Sequence, residues 1–132
     1  PWAYDVLVTE NMFGDILSDL IAALVGGMGM APSGDIGDKH GLFQPAHGTA
    51  PDIAGQGKAN PTAMMLSAAM MLDWLADRTG DTRLADGAAL IERAVEHIFA
   101  NGIVRPMEFG GPHGTADITR AVVGALQTTV AA

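Results

Sequence analysis

The chain has 132 residues, 48% of them hydrophobic, a formal net charge of −8 and no cysteine. That length and apolar content suit one modest domain with a real core and exclude a disordered chain, while the negative charge argues against nucleic acid or an anionic membrane as partner. Disulfides and thiolate metal sites are excluded by composition, which fits a reducing, cytoplasmic setting, and no apolar run reaches the length of a membrane span.

Pro1 is no initiator, and residues 4–9 read at once as an internal strand, so the sequence is expected to be the C-terminal part of a longer protein. Val6-Leu7-Val8 is a short apolar β-type run, expected to be buried on both faces. Thr9-Glu10-Asn11 follows as a turn, with Asn11 the expected N-cap of a helix over residues 12–25 that Gly26-Gly27 ends. Ile16, Leu17, Leu20, Ile21, Ala23, Leu24 and Val25 leave that helix little polar surface, which implies burial on more than one side, as in a subunit interface.

The same helix sets Asp15 and Asp19 four residues apart, on one face and about 6 Å apart in rise. Two carboxylates so placed repel unless a cation lies between them, and oxygen-only ligands suit a hard divalent ion, Mg2+ or Mn2+. For a bare D-x-x-x-D, two solvated aspartates remain the simpler reading.

Residues 28–44 are irregular and glycine-rich, with short strands expected at 29–32 and 41–44 around a turn-rich surface loop, 33–40. Residues 45–61, PAHGTAPDIAGQGKANP, have no apolar period and read as a long structured loop, a kind of segment that is usually functional inside a compact domain. Gly48, Gly55 and Gly57 let backbone amides approach a ligand, and Asp52 has the chemistry to accept hydrogen bonds from a ribose diol. The G-x-G-x-x-G fingerprint is absent, so physics alone prefers an ordinary turn-rich loop and keeps nucleotide binding as the alternative.

Pro61 opens a helix over 62–78 that is apolar nearly all round and is predicted to be a central core helix, its methionines filling gaps. Residues 84–100 form an amphipathic helix with the stripe Ala88, Ile91, Ala94, Val95, Ile98 and Phe99, and His97 on the solvated side. Asn101-Gly102 ends it. After a glycine- and proline-rich connection, Thr115 or Asp117 is expected to cap a final helix carrying Ile118, Ala121, Val122, Ala125 and Leu126. HGTAD at 113–117 echoes HGTAPD at 47–52 too briefly to be a repeat, and His113 is read as structural.

Three stretches together, TENMFGDILSD, QPAHGTAPDIAGQGKANP and AMMLSAAMMLDWL, closely resemble the metal-dependent β-decarboxylating dehydrogenases, the isopropylmalate, isocitrate and tartrate dehydrogenase family. The likeness begins at Tyr4 and runs, more weakly after Arg78, to the C-terminus. It implies an α/β, two-lobed isopropylmalate/isocitrate dehydrogenase-like fold that is not Rossmann. Residues 1–25 would end the dimer-forming lobe, and 26–132 would form the C-terminal part of the nucleotide-binding lobe. It also implies a homodimer with shared active sites.

By that resemblance Asp15 and Asp19 match the family's metal ligands. His47, Gly48, Thr49, Ala50 and Pro51 match the loop that approaches the cofactor, and Asp52 and Ile53 the positions that choose between nicotinamide cofactors. An acid at 52 favours free ribose hydroxyls and repels a 2′-phosphate, which selects NAD. Asn60 matches the residue that reads the adenine edge. The implied chemistry is hydride transfer from a malate-type 2-hydroxy acid to NAD, then loss of carbon dioxide, with the divalent ion polarising the substrate oxygens.

Departures from the pattern are Gln44, where many members have glutamate, and Met107, Phe109 and His113. The family's carboxylate-gripping arginines and its lysine–tyrosine acid–base pair have no counterpart here. They are expected upstream, and this chain by itself is expected to be inactive.

Overall fold

A computed structural model describes the backbone of residues 3–130 and the side chains of residues 3–128. Residues 3–10 form no strand, and Val6, Leu7 and Val8 are 78%, 51% and 91% exposed. A strand needs a hydrogen-bonding neighbour, and the sheet among the described residues contains two strands, both later in the chain.

Helix α1 spans Asn11–Ala22. Glu10, in extended conformation, takes the N-cap position without a side-chain bond, so Asn11 is the first helical residue and not the cap. The helix tightens into a 3-10 turn, Ala23–Val25, closed by Gly26 at φ +115°. The expected burial of α1 on several sides is not met within this chain. Met12, Phe13, Ile16, Leu20 and Leu24 are each more than half exposed, and Ala22 is its one buried residue. The contacts of α1 are chiefly with the 3-10 turns that follow it, and most of its apolar girth stays exposed among the described residues.

The first expected strand is displaced. Residues Met28–Met30 form a 3-10 turn, closed by the Ala31 N–H donating to the Met28 carbonyl at 3.3 Å. Strand β1 is Pro32–Ile36 and pairs antiparallel with β2, Gly41–Pro45, in the register Pro32↔Pro45 and Ile36↔Gly41. Pro32 starts its strand, where its missing N–H costs least. Residues 33–36, expected in a surface loop, are therefore paired, and only 37–40 turn, with the Gly37 N–H donating to His40 O at 2.9 Å. Phe43 lies between Gly34 and Gly41, where a Cβ would come within 3.2 and 2.7 Å of its ring. It meets Trp74 with ring centroids 5.8 Å apart.

Helix α2 spans Thr62–Thr79, α3 Thr82–Ala100 and α4 Thr115–Val130. Helix α2 is central, carrying the hairpin on one side and α3 on another. It is not buried all round, since Met64 is 53% and Met71 38% exposed; it buries Ala63, Ser67, Ala69 and Ala76. Small residues there let the neighbouring elements approach closely. The main core joins Ala94, Val95 and Ile98 of α3 to Val104 and to Ile118, Val122 and Ala125 of α4. The predicted stripe of α3 thus packs inward, and Glu92, Arg93, Glu96 and His97 face solvent.

The caps follow short-range chemistry. Asp81 accepts the Arg83 N–H at 3.1 Å at the start of α3. Of the two caps expected for α4, Asp117 bonds the Gly114 N–H at 3.1 Å, whereas the Thr115 hydroxyl reaches across to the Ala59 carbonyl. His113 is structural, its Nδ1 accepting the Arg105 N–H at 2.9 Å. Among the described residues no helix is long and apolar enough to cross a membrane.

Candidate functional site

Two hollows adjoin along the segment that leaves β2. The first is a cleft of about 690 Å³ between α1 and the hairpin. Asn11, Asp15, Ser18, Asp19 and Ala22 line one wall, which is the single helix face that a spacing of three or four residues selects. Ser33, Asp35, Gln44, Pro45 and Ala46 line the other. Asp15 and Asp19 therefore both line this cleft and are open to solvent, not sunk in apolar packing.

Glu10 and Asp35 border the same cleft, and its lining contains no lysine or arginine. A wall of carboxylates without a basic partner favours a cation. Among the described residues, no group of three or more His, Cys, Asp or Glu side chains is placed to hold a metal. Asp15 and Asp19 offer two oxygen donors of the kind a hard divalent ion takes, short of a full ligand set among the described residues.

The second hollow, about 370 Å³, is lined by Met28, Gly29, His47, Gly48, Ala50, Ile53, Ala59, Asn60 and Glu108. A smaller one of about 190 Å³ continues it along the other side of the loop past Thr49, Gly55, Gly57 and Lys58 to Thr115. His47, Gly48, Ala50 and Ile53 line both the second hollow and the smaller one, Asn60 the former and Thr49 the latter. Pro51 and Asp52 lie on the 3-10 turn Pro51–Ile53, exposed and outside both linings.

Backbone geometry fixes this loop. Ala50 is the one non-glycine residue among those described with positive φ, at +43°, and it precedes Pro51, which disfavours helical backbone before it. His47 Nδ1 donates to the Gly48 carbonyl at 2.8 Å, which assigns the ring proton to that nitrogen. The Thr115 N–H bonds Gly57 O at 2.8 Å, and the Ala46 N–H bonds Ala31 O at 3.1 Å. The chain passes from the acidic cleft at Ala46 to the second hollow at His47, and on the neighbouring segment from Ala31 and Pro32 to Met28 and Gly29. The two hollows thus meet at neighbouring residues of the same two segments.

Asn60 is 7% exposed. Its Oδ1 accepts from the Thr62 N–H at 3.1 Å and the Thr62 hydroxyl at 2.6 Å, forming an Asx turn across Pro61 that opens α2. Its Nδ2 donates to Glu108 Oε1 at 2.8 Å. Glu108 and Gly29 were not legible as site residues, because a single acid in a glycine-rich connection carries no spacing signal. Asp35 sits among turn-type residues that suggest a loop, although its alternation with Ser33 places both on one strand face.

A family model described as isocitrate/isopropylmalate dehydrogenase matches residues 1–122, and the chain belongs to that family. An isocitrate/homoisocitrate dehydrogenase of Thermus thermophilus is 52% identical over 128 residues, covering 97% of this chain and 36% of its own length. A 3-isopropylmalate/3-methylmalate dehydrogenase of Methanocaldococcus jannaschii is 50% identical over 122 residues, covering 92% of this chain and 34% of that protein. The solved isocitrate dehydrogenase of Methylococcus capsulatus superposes with a TM-score of 0.84 at 44% identity, covering 96% of this chain and 36% of that one. The chain spans about a third of the length of these relatives. The α/β fold of the family, expected from the sequence, is the fold observed.

Proposed function

We propose that this chain is the C-terminal part of an NAD-dependent oxidative decarboxylase acting on a malate-type 2-hydroxy acid, with 3-isopropylmalate the substrate placed first. That substrate would assign the protein to leucine biosynthesis. The observation that carries the reading is the adjacency of a carboxylate-lined cleft holding Asp15 and Asp19 to the hollow built by His47, Gly48, Ala50 and Asn60. The isocitrate/homoisocitrate name of the relative with 52% identity supports a second reading, in which the substrate carries a further carboxylate.

In this reading Asp15 and Asp19 would give two hard oxygen donors to Mg2+ or Mn2+ from one wall of the cleft. The bound ion supplies Lewis-acid polarisation of the hydroxy acid's oxygens. Residues 47–50 and Ile53 hold the nucleotide beside the cleft, with Pro51 and Asp52 on the outer turn. The Asp52 carboxylate disfavours a 2′-phosphate and so selects NAD over NADP. Proton transfer and the grip on the substrate carboxylates fall to residues outside this chain, so the chain alone turns over no substrate.

The exposed apolar face of α1 supports a homodimer with shared sites. Tyr4, Leu7, Leu17, Leu20 and Leu24 border an open groove of about 760 Å³, and residues up to 25 would belong to the dimer-forming lobe.

The test is a panel of 3-isopropylmalate, tartrate, D-malate, isocitrate and homoisocitrate with NAD or NADP and Mn2+, run on the full-length protein. Reduction of NAD with 3-isopropylmalate is expected. No oxidation of that acid rejects the first substrate, and no oxidation of any rejects the class.

A further inference from the structure

Glu108 belongs to the 3-10 turn Met107–Phe109, far in sequence from the other residues that line the second hollow. Its Oε1 accepts the Asn60 Nδ2 at 2.8 Å. The other neighbour of that nitrogen is the Met30 sulfur at 3.3 Å, a weak acceptor. The carboxylate is therefore the strong partner that fixes the amide end of Asn60, while Thr62 fixes the oxygen end. Gly29 completes the arrangement. A Cβ there would come within 2.5 Å of Glu108 Oε2 and 2.6 Å of Oε1, so the carboxylate occupies the space that a side chain at 29 would take.

We propose that Glu108 is a positioning residue for the nucleotide hollow: by gripping the Asn60 side chain and lying over Gly29 it ties three distant segments into one wall and fixes the backbone at Asn60 beside the hollow. The proposal rests on the reading of this hollow as the NAD site. The bond is charge-assisted, hence stronger and more directional than one between neutral groups. It spans 48 residues, so its loss releases the wall without unwinding a helix.

The geometry offers two independent ways to break the contact. Glu108→Ala removes the acceptor. Gly29→Ala keeps the acid and pushes it aside, and Gly29 is not among the positive-φ glycines, so alanine fits its backbone. Glu108→Gln keeps an oxygen that can accept from Asn60. In the full-length protein, Glu108→Ala and Gly29→Ala should each raise the KM for NAD about tenfold or more, the range expected for one hydrogen bond to a charged group, with kcat falling less than about twofold. Glu108→Gln should stay within about threefold of wild type. NADH fluorescence titration should show the same order, and thermal melts check that each variant is folded. An unchanged KM in Glu108→Ala, or a rise in Glu108→Gln as large as in Glu108→Ala, overturns the positioning role. A folded wild-type protein that neither binds NADH nor reduces NAD overturns instead the cofactor reading on which it rests.

Discussion

Arg78 lies over the ring of Trp74, 4.4 Å from guanidinium carbon to centroid, and the same guanidinium donates to the Gly37 and Asp38 carbonyls at 3.2 and 2.5 Å. One side chain near the end of α2 thus clamps the tip of the hairpin whose other end walls the acidic cleft. Arg78→Ala should lower stability by about 1.5–4 kcal/mol, the sum of an exposed cation–π contact and two modest hydrogen bonds. Amide hydrogen exchange gives the sharper readout: protection of the Gly37 N–H, bonded to His40 O at 2.9 Å, should fall more than that of α3. Equal loss in both places would mean that the clamp acts on the whole fold and not on the hairpin.

Gly114 joins α4 to the loop of residues 45–61. A Cβ there would come within 2.2 Å of the Gly57 carbonyl oxygen, a backbone atom that cannot swing aside. Gly114→Ala should therefore shift residues 57–59, raise the KM for NAD and cost about 1–3 kcal/mol of stability. Kinetics and urea melts on the same preparation would show both effects; a fall in stability with KM unchanged would contradict the coupling.

Ile118 is 0% exposed and sits in the cluster that joins α3 to α4. Ile118→Ala should cost about 2–5 kcal/mol, and Ile118→Val about 0.5–1.5 kcal/mol, because the larger truncation adds a cavity to the lost transfer energy. Urea midpoints at constant m measure the difference.

Helices α2, α3 and α4 were legible in the sequence because the faces their periodicity marks are covered within this chain. The aspartate pair was legible for a similar reason: four residues of helix fix their neighbourhood whatever else the chain does. Val6-Leu7-Val8 and the apolar girth of α1 carry equally clear patterns, but nothing among the described residues covers them, so the patterns predict burial and the fold shows exposure. Residues 28–30 were misread because glycine and methionine next to a proline suit an extended strand as well as a 3-10 turn, and the choice is made by Gly27 at φ +101°. Glu108 had no local signal, since its meaning lies in a contact with Asn60 across the fold.

Asp81 accepts from the Arg83 side chain at 2.9 and 2.6 Å as well as from its N–H. The Arg83 guanidinium first, and the backbone bond second, hold the Asp81 carboxyl below its ordinary value of 3.8. A carboxyl depressed in the folded state adds stability that is present above its unfolded value and is lost as pH falls through the folded one. Thermal melts should therefore show wild type losing stability from about pH 4 downward relative to Asp81→Asn, with the two curves parallel at neutral pH. The effect is small because the pair is exposed. A difference that grows as pH rises above neutral would contradict the assignment.

The binding of Mn2+ bears most directly on the Asp15–Asp19 pair. Isothermal titration of the full-length protein, wild type against Asp15→Ala and Asp19→Ala, should show one site whose affinity falls at least tenfold in each variant, since even partners one shell further out are worth that much. Circular dichroism should be unchanged, because both side chains are exposed on α1. Equal Mn2+ affinity in all three proteins would contradict a metal site at these aspartates.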